Sequence, residues 1–550
     1  MTVKRTTCPF CRNGCESGVS HHYQYRMEYV ADARVNRGRL CPRGNSASIV
    51  LDHPKRLAYP LLDGREITWP EAIATIRAWI ANAGPEQTAV VYTRGLGLDE
   101  TRLVCGLART LGTKNLVCGY VEPDNCFNYR LEKTKDAKLE QVQSVSAMLL
   151  VGDVFSTSPV AAGPLTEARY QDRKHRLVVI DSFRTRQAGF AHQFIQVRPG
   201  TEGFALLALA GLLGKTAGID PERYSELAGV HRVELEQAAK TLVAGPTRFV
   251  GCAMHPGRVK HPVLVSLAAQ LVAAKLDSPF TGFGEALMPL APIKFSEFRQ
   301  ACAEARVRLV LWFGGMHPYS YPALFPEVAK VEFRAVTSIF RPAEPLPGLV
   351  LPVPSELEKE SRGRGYWGEF ERHPLAAPYS GTKLVGWIIE QLGFDPKVAA
   401  QAGSECKPST VFTATEVAKL GNRYADGEEE QKAEDELLLV GEKAAFGIGG
   451  FFTEEDDIAL SPQDARRFGL ADDEQVRVTT GTGSIECRVR LSQAVPAGVA
   501  AIGVNAHKNR ALFPLLTDPV TSETEIPPVA ARLEKVGRSK KLALEAMKEA

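Results

Sequence analysis

The sequence predicts a multi-domain α/β protein with a small cysteine-bearing unit at its start and a compact β barrel near its end. Three observations carry this prediction. Four cysteines fall within the first 41 residues, apolar runs of strand length alternate with helical stretches through the middle, and short strand patterns with glycine turns follow residue 437. At 550 residues, of which 44% are hydrophobic, the chain is long enough for several packed units.

The composition limits the kinds of binding partner and the cellular compartment that we expect. The 66 Lys and Arg residues nearly balance the 64 Asp and Glu residues, so the charge does not indicate a nucleic acid partner, whereas a small-molecule substrate is allowed. No segment offers the roughly 18 consecutive apolar residues of a membrane span, and Met1 to Thr7 lacks the apolar stretch of an export signal. The eleven cysteines are too sparse for a disulfide scaffold. We therefore expect a cytoplasmic protein without a membrane span.

The first unit, residues 1–55, is defined by its cysteines. Cys8, Cys11, Cys15 and Cys41 give the pattern C-x2-C-x3-C-x25-C. Three thiolates from a tight loop and a fourth from a distance can occupy the corners of a 4Fe-4S cluster. A structural zinc ion is the alternative, because four cysteines also satisfy tetrahedral zinc. The three-plus-one spacing favours the cluster, and hence electron transfer.

Residues 56–421 predict parallel sheets covered by helices on both faces. The strand-like runs are AVVYT, AMLLVGD, RLVVID, RFVGC and RLVLWFGG, and GFALLALAGLLG is a helical stretch between two of them. This alternation is typical of doubly wound sheets. Several strands run directly into Gly or Asp, where open α/β sheets bind ligands.

The last third of the chain contains a linker, a barrel and a tail. Residues 422–436 are charged and poor in large apolar residues, as in a linker. Residues 437–536 alternate short strands with glycine turns and one helix, which predicts a β barrel. Residues 537–550 predict a charged terminal helix or tail.

Several motifs in order resemble the molybdopterin oxidoreductases, a family that includes formate dehydrogenases, formylmethanofuran dehydrogenases and periplasmic nitrate reductases. The resemblance begins with Cys8 to GRLCPRGN and LDHPKRLAYPLL. It continues through LVVIDSFRTRQAGFAHQFIQVRPGTEGFALL, WFGGMHPYSYP, VLPVPSELEKES and DIALSPQDARRFGL. It implies a 4Fe-4S cluster and molybdenum or tungsten on bis(molybdopterin guanine dinucleotide). It also implies an inserted Rossmann-like domain over about 131–330 and a dinucleotide-binding barrel over 437–536.

The resemblance assigns cofactor contacts that elementary chemistry supports. Asp181 ends a strand, where a carboxylate can accept hydrogen bonds from ribose hydroxyls or a purine amine. Gly200 permits close backbone approach, and Thr201 and Glu202 stand at the start of a helix. Arg43 takes the place of a lysine that bridges cluster and pterin in many relatives. The remaining implied contacts are Gly152, Asp153, Arg184, Gly314, Gly315, Gly441, Asn505 and Lys508.

The resemblance also points to a protein thiolate on the molybdenum or tungsten. Cys126 is the preferred ligand because we expect it to open a helix at NYRLEK, and a helix terminus lowers the thiol pKa. Cys118 is the rival. Two departures weaken the case for formate: Phe127 replaces the histidine that usually follows the metal cysteine, and the loop DSPFTGFGEALMPLAP lacks an arginine for a carboxylate.

Two functional hypotheses follow. The first is a catalytic subunit that oxidises formate or a formyl group, or reduces carbon dioxide, and passes electrons through its cluster to iron-sulfur or flavin partner subunits. The second is an electron-relay or scaffold subunit without substrate chemistry, similar to the large iron-sulfur subunit of respiratory complex I. Phe127 and the arginine-free loop favour the relay, whereas Cys126 and the intact RPGTE turn favour the enzyme.

Overall fold

The computed structural model of the chain describes residues 4–21, 23–119, 123–284, 288–315, 326–342, 347–403, 410–427, 436–442, 457–504 and 508–538, apart from the side chains of Asp124, Gly537 and Arg538. The described strands are β1 (Lys4–Thr7), β2 (Glu16–His21), β3 (Tyr25–Tyr29), β4 (Leu61–Leu62), β5 (Arg65–Glu66), β6 (Thr88–Tyr92), β7 (Asn115–Cys118), β8 (Tyr129–Leu131), β9 (Ala147–Val151), β10 (Arg176–Asp181), β11 (Gln193–Gln196), β12 (Arg248–Ala253), β13 (Phe280–Phe283), β14 (Leu309–Phe313), β15 (Phe333–Ser338), β16 (Leu349–Pro352), β17 (Ser361–Gly365), β18 (Gly368–Arg372), β19 (Thr410–Phe412), β20 (Leu437–Glu442), β21 (Asp457–Leu460), β22 (Glu474–Thr480), β23 (Ser484–Leu491), β24 (Val499–Gly503), β25 (Leu516–Thr517), β26 (Thr524–Glu525) and β27 (Val529–Arg538). The described α-helices are α1 (Pro42–Asn45), α2 (Ile49–Asp52), α3 (Trp69–Ala83), α4 (Leu98–Leu111), α5 (Leu139–Val142), α6 (Val154–Thr157), α7 (Ala162–Tyr170), α8 (Glu202–Leu213), α9 (Pro221–Ala228), α10 (Arg232–Ala244), α11 (Pro262–Lys275), α12 (Phe295–Ala303), α13 (Val385–Gln391), α14 (Pro396–Gly403), α15 (Ala414–Ala425) and α16 (Pro462–Arg467).

The first compact unit comprises residues 1–121, 285–409 and 522–524. It contains the antiparallel sheet β1-β2-β3 and a seven-stranded sheet in the order β5-β4-β16-β15-β14-β6-β7. The five strands from β16 to β7 are parallel, and every residue of β6 and β14 is buried, as expected for strands covered on both faces. The strand order reverses between β6 and β14, so the carboxyl ends of these two strands flank a crevice suited to ligands.

The second compact unit comprises residues 122–284, 410–521 and 525–550. Its five-stranded parallel sheet has the order β11-β10-β9-β12-β13. This is the strand order of dinucleotide-binding folds, in which the direction of strand addition reverses at a switch point. The reversal lies between β9 and β12. Helices α8 and α11 are apolar on nearly all sides and buried along most of their length, because they pack against each other.

A closed barrel in the second unit has the strand order β20-β24-β21-β23-β22-β27. Buried and solvent-facing residues alternate along β22, which explains why the sequence of this strand alternates Val with polar residues. Phe183 packs with Val440 and Ala501 of the barrel in one apolar cluster. The predicted fold class, a small cysteine-bearing unit followed by doubly wound sheets and a barrel, is confirmed.

Two local expectations are wrong. The predicted linker starts too early, because α15 continues to Ala425. The residues after Cys126 do not form an α-helix: Cys126 lies in a 3₁₀ helix, Pro123–Asn128, which leads directly into β8. The predicted terminal helix or tail beyond residue 538 lies outside the described residues.

Within the described part of the chain, no helix has the length and apolarity that a bilayer crossing requires.

Candidate functional site

The four amino-terminal cysteines converge in the first unit. The backbone N–H of Cys8 donates to the carbonyl of Cys15 over 2.8 Å, which closes the three-cysteine loop. Cys41 caps α1, where its sulfur accepts a hydrogen bond from Gly44 N over 3.4 Å. A Cβ on Gly44 would lie 3.6 Å from the sulfur of Cys8 and 3.8 Å from that of Cys41, so both sulfurs approach the same point.

The electrostatics of this quartet favour neutral thiols unless a cation is bound. Burial, followed by repulsion from Cys11, raises the pKa of Cys8 to about 12. Burial and the same neighbour also raise the pKa of Cys15. Buried thiolates this close together are unfavourable on their own, and bound iron or zinc would offset their charge.

The spacing of the sulfurs distinguishes a cluster from one zinc ion. Thiolates bound 2.3 Å from a tetrahedral zinc lie about 3.8 Å from one another. All four cysteines belong to the described residues, yet no three of their sulfurs lie within 4.8 Å of one another. A cubane cluster needs this wider separation, because each cysteine binds a different iron. The residues present therefore fit a 4Fe-4S cluster better than they fit zinc.

Arg43 lies within α1, two residues after Cys41, and its side chain is buried. A buried guanidinium next to the cysteine quartet fits a negatively charged cluster. Its predicted role as a bridge toward a pterin stays a prediction.

A pocket lies at the switch point of the second unit, between the carboxyl ends of β9 and β12. Its lining combines apolar residues with four ionisable or polar groups: Val151, Gly152, Asp181, Glu202, Ala253, His255, Arg258, Val259 and Val265. Gly152 has φ +65°, and a Cβ there would lie 2.1 Å from the carbonyl oxygen of Ala253. Only glycine permits this close approach of the two strand ends.

Glu202 places a buried carboxylate in the pocket. Its side chain is buried and its Oε2 atom has no hydrogen-bond partner. Burial raises the pKa of Glu202 to about 7. A buried carboxylate oxygen without a donor is costly, and a ligand that offers N–H groups would satisfy it. Guanine has adjacent imino and amino donors, which are the kind of group that this carboxylate oxygen can accept from.

Asp181 is held by groups of its own unit. Arg258 Nη2 lies 2.6 Å from Asp181 Oδ1, and both side chains are buried. The backbone N–H of Phe183 and the hydroxyl of Thr185 also donate to this carboxylate. The Arg258 guanidinium stands 4.2 Å from the centre of the Phe183 ring.

Sequence reasoning left His255 and Arg258 without a role in this pocket. His255 Nε2 lies 3.2 Å from the hydroxyl of Thr157 at the pocket wall. The signal was available: the segment HPGR begins two residues after the end of β12, and side chains at this position come to the carboxyl edge of a parallel sheet.

The other predicted contacts of the second unit are engaged within the chain. Asp153 caps α6, accepting a hydrogen bond from Ser156 N over 3.1 Å. Gly200 has φ +86°, and the Thr201 hydroxyl donates to the Arg198 carbonyl over 2.7 Å. Arg184 is exposed, with its guanidinium 5.4 Å from the Phe194 ring centre. Their predicted roles as cofactor contacts stay predictions.

Gly314 and Gly315 stand at the switch point of the first unit. Gly314 has φ +111°, and a Cβ there would lie 2.4 Å from the hydroxyl oxygen of Thr93, which follows β6. Gly315 N donates to the carbonyl of Arg94 over 2.6 Å. The two loops that follow β6 and β14 thus approach closely enough to require glycine.

Three contacts were predicted around the barrel. Gly441 N donates to the Gly257 carbonyl over 2.7 Å, and a Cβ on Gly441 would lie 2.0 Å from the Pro256 carbonyl oxygen. This glycine is therefore required for packing on the segment after β12. Lys508 begins a 3₁₀ helix, Lys508–Leu512, and Asn505 lies outside the described residues.

The two candidate metal thiols differ in their surroundings. Cys118 ends β7 and packs in the apolar core of the first unit with Val90 and Val104, as an inert small residue does. Cys126 is also buried, in the second unit. Phe127 is fixed by packing, because a Cβ on Gly282 would lie 2.4 Å from its ring.

Comparisons with known proteins match both ends of the chain to described domains. Residues 1–53 match the molybdopterin oxidoreductase Fe4S4 domain, and residues 451–530 match the molydopterin dinucleotide binding domain. The first match covers the cysteine quartet, and the second covers most of the barrel.

Curated relatives are distant and longer. The chain is 25% identical over 280 residues to a nitrate reductase of Klebsiella oxytoca, covering 45% of this chain and 32% of the relative. It is 24% identical over 248 residues to the F420-dependent formate dehydrogenase subunit alpha of Methanocaldococcus jannaschii, covering 40% and 34%. The chain thus matches about a third of the length of these relatives.

A solved structure shares the fold. Acetylene hydratase from Pelobacter acetylenicus superimposes with a TM-score of 0.75 at 14% identity, covering 97% of this chain and 100% of the other. At this identity the likeness concerns the fold alone.

Proposed function

We propose that this chain, which belongs to the molybdopterin oxidoreductase family, is the catalytic subunit of a cytoplasmic molybdenum or tungsten enzyme that oxidises formate or a formyl group, or reduces carbon dioxide. The observation that carries the redox assignment is the cysteine quartet, whose members interact with one another although no three of their sulfurs lie within 4.8 Å, as the ligands of one zinc ion would. An iron-sulfur cluster implies one-electron transfer.

Two switch points support a cofactor with two dinucleotide arms. One is the Glu202 pocket between β9 and β12, and the other is the glycine-lined crevice between β6 and β14. Each unit would hold one guanine dinucleotide. When bound, the cofactor supplies a metal that exchanges two electrons with substrate.

Residues of the chain would do the remaining work. Glu202 would accept hydrogen bonds from guanine, and Cys126 would supply a soft thiolate to the metal. Arg43 would place a positive charge beside the reduced cluster. Oxidation of formate to carbon dioxide releases one proton and two electrons, which the single predicted cluster would pass on one at a time to iron-sulfur or flavin partner subunits.

The formate assignment rests on family likeness: one relative is named an F420-dependent formate dehydrogenase subunit, while others are named nitrate reductase and sulfite dehydrogenase. The second candidate is an electron-relay subunit of the same fold. It is favoured by Phe127, since the position after Cys126 is occupied by a packed aromatic ring in place of a polar side chain.

Metal and nucleotide analysis of the anaerobically purified chain tests the proposal. We expect about four iron atoms and one molybdenum or tungsten atom per chain, together with guanine nucleotide released by acid. C41A should lose iron, whereas C302A, which alters a buried cysteine in α12 of the same unit, should retain it. Formate-dependent dye reduction then tests the substrate.

Each result has a definite meaning. Iron without molybdenum, tungsten or guanine nucleotide would favour the relay. A metal-replete sample without activity toward formate or carbon dioxide would remove that substrate from the proposal. A chain that binds zinc and no iron would overturn both functions.

A further inference from the structure

A β-hairpin covers the cysteine loop of the first unit. Strands β17 and β18 pair antiparallel from Ser361↔Arg372 to Gly365↔Gly368. Tyr366 N donates to the Arg12 carbonyl over 2.8 Å, and Arg12 Nε returns a hydrogen bond to the Arg364 carbonyl over 3.1 Å. The hairpin tip is thereby fixed to the stretch between Cys11 and Cys15.

The base of the hairpin is fixed to the same loop. The Thr7 hydroxyl donates to the Glu371 carbonyl over 2.8 Å, and the buried Arg372 donates from Nε to the Thr7 carbonyl over 3.0 Å. The hairpin and the cysteine loop approach closely, because a Cβ on Gly365 would lie 2.9 Å from the Arg12 carbonyl oxygen. Hydrogen bonds therefore hold the loop where it begins, at Thr7, and in its middle, at Arg12.

A short polar chain leads from the hairpin tip to one cysteine sulfur. Trp367 Nε1 donates to Asn13 Oδ1 over 3.1 Å, and Asn13 Nδ2 donates to Cys15 Sγ over 3.0 Å. Asn13 and Trp367 are both buried.

The chemistry of the indole fixes the direction of this chain. An indole N–H can only donate, so it must face the oxygen of the Asn13 amide. The amide NH₂ group then faces the sulfur. Without Trp367 the amide could turn over and present its oxygen to the thiolate, which would be repulsive.

We propose that the hairpin 361–372 is a clamp that tunes the iron-sulfur site, with Trp367 and Asn13 as positioning residues that deliver one N–H···S hydrogen bond to Cys15. Hydrogen bonds to cysteine sulfur stabilise the more negative, reduced state of a cluster and raise its reduction potential. The inference rests on the proposed cluster and goes beyond it by naming residues that set its potential.

Redox titration of the holoprotein, followed by electron paramagnetic resonance, tests the clamp. W367F removes the indole N–H and keeps an aromatic ring, and N13L removes the donor to sulfur at similar volume. Each should favour the oxidised cluster about fivefold at a fixed potential, a shift of about −40 mV given 59 mV per tenfold change for one electron. The matched control is W79F, which alters a tryptophan stacked on Phe333 elsewhere in the unit and should leave the potential unchanged.

The double variant distinguishes a positioning role of Trp367 from a general loss of packing around the cysteine loop. Because Trp367 acts through Asn13, the W367F/N13L variant should have the same potential as N13L alone. One hyperfine coupling of an exchangeable proton to the reduced cluster should be lost in N13L, whereas the coupling expected from the Gly44 N–H beside Cys41 Sγ should remain.

The contrary outcomes are distinct. Additive shifts, an unchanged potential in both single variants, or iron loss from W367F with iron retained in W79F would each overturn the positioning role while leaving the cluster in place. A wild-type protein without an iron-sulfur signal would overturn the cluster itself, and the clamp with it.

Discussion

The guanidinium of Arg258 lies 2.6 Å from Oδ1 of Asp181, and both side chains are buried at the carboxyl edge of the second sheet. The pair sits beside Glu202, a second buried carboxylate in the same pocket. Arg258, Asp181 and Glu202 thus share a small space with His255 and apolar side chains, so their charges affect the stability of this unit.

Removal of Arg258 should be strongly destabilising. R258A would leave Asp181 buried and unpaired next to Glu202, so we expect a loss of about 3 to 5 kcal/mol in the free energy of unfolding at pH 7. Urea denaturation measures this. The control is R223A, which breaks an exposed ion pair with Asp426 and should cost less than about 1 kcal/mol. Equal, small losses in both variants would contradict the importance of the buried pair.

Neutralising Glu202 should stabilise the cofactor-free protein at high pH. Burial raises the pKa of Glu202 to about 7, against an ordinary value of 4.5. Its contribution to stability is therefore complete below pH 4.5 and is lost as the pH rises through 7. E202Q should unfold like the wild type at pH 4.5 and be more stable by up to about 3 kcal/mol at pH 8.5. A pH-independent difference between the two proteins would contradict this.

Gly152 should not tolerate a side chain. G152A places a Cβ 2.1 Å from the Ala253 carbonyl oxygen in a residue with φ +65°. We expect a loss of at least about 2 kcal/mol and, in the holoprotein, loss of bound guanine nucleotide. G189A is the control, because a Cβ there meets nothing within 4 Å. Normal melting of G152A would show that the strand ends separate more easily than the packing indicates.

The two candidate metal thiols should respond differently to alanine. C126A should lose molybdenum or tungsten and retain iron. C118A should retain both and lose about 1 kcal/mol of stability, because Cys118 packs in an apolar core. Metal analysis and thermal melts distinguish the two variants. Heavy-metal loss in C118A with retention in C126A would transfer the ligand role to Cys118.

Asp518 should make the second unit sensitive to acid. Although burial opposes ionisation, hydrogen bonds from His261, the backbone of Thr521 and the Tyr424 hydroxyl lower the pKa of Asp518 to about 2. A lowered carboxyl pKa contributes stability above the ordinary value of 3.8, and that contribution is lost as the pH falls toward 2. The wild type should exceed D518N by about 2 kcal/mol at pH 6, and the difference should shrink below pH 4. A constant difference would exclude this titration as its source.

The sequence by itself determined the iron-sulfur unit, the barrel and the strands β6, β9, β10, β12 and β14. Thiol spacing is local, as in Cys8, Cys11 and Cys15, and short apolar runs such as those of β9 and β14 are typical of strands covered on both faces. Tertiary structure alone decided which groups meet. Arg258 and Asp181 are 77 positions apart and Trp367 and Asn13 are 354 apart, distances over which no local pattern in the sequence carries information. Only the order of strands around β9, and the docking of one hairpin on one loop, bring these side chains within hydrogen-bonding distance.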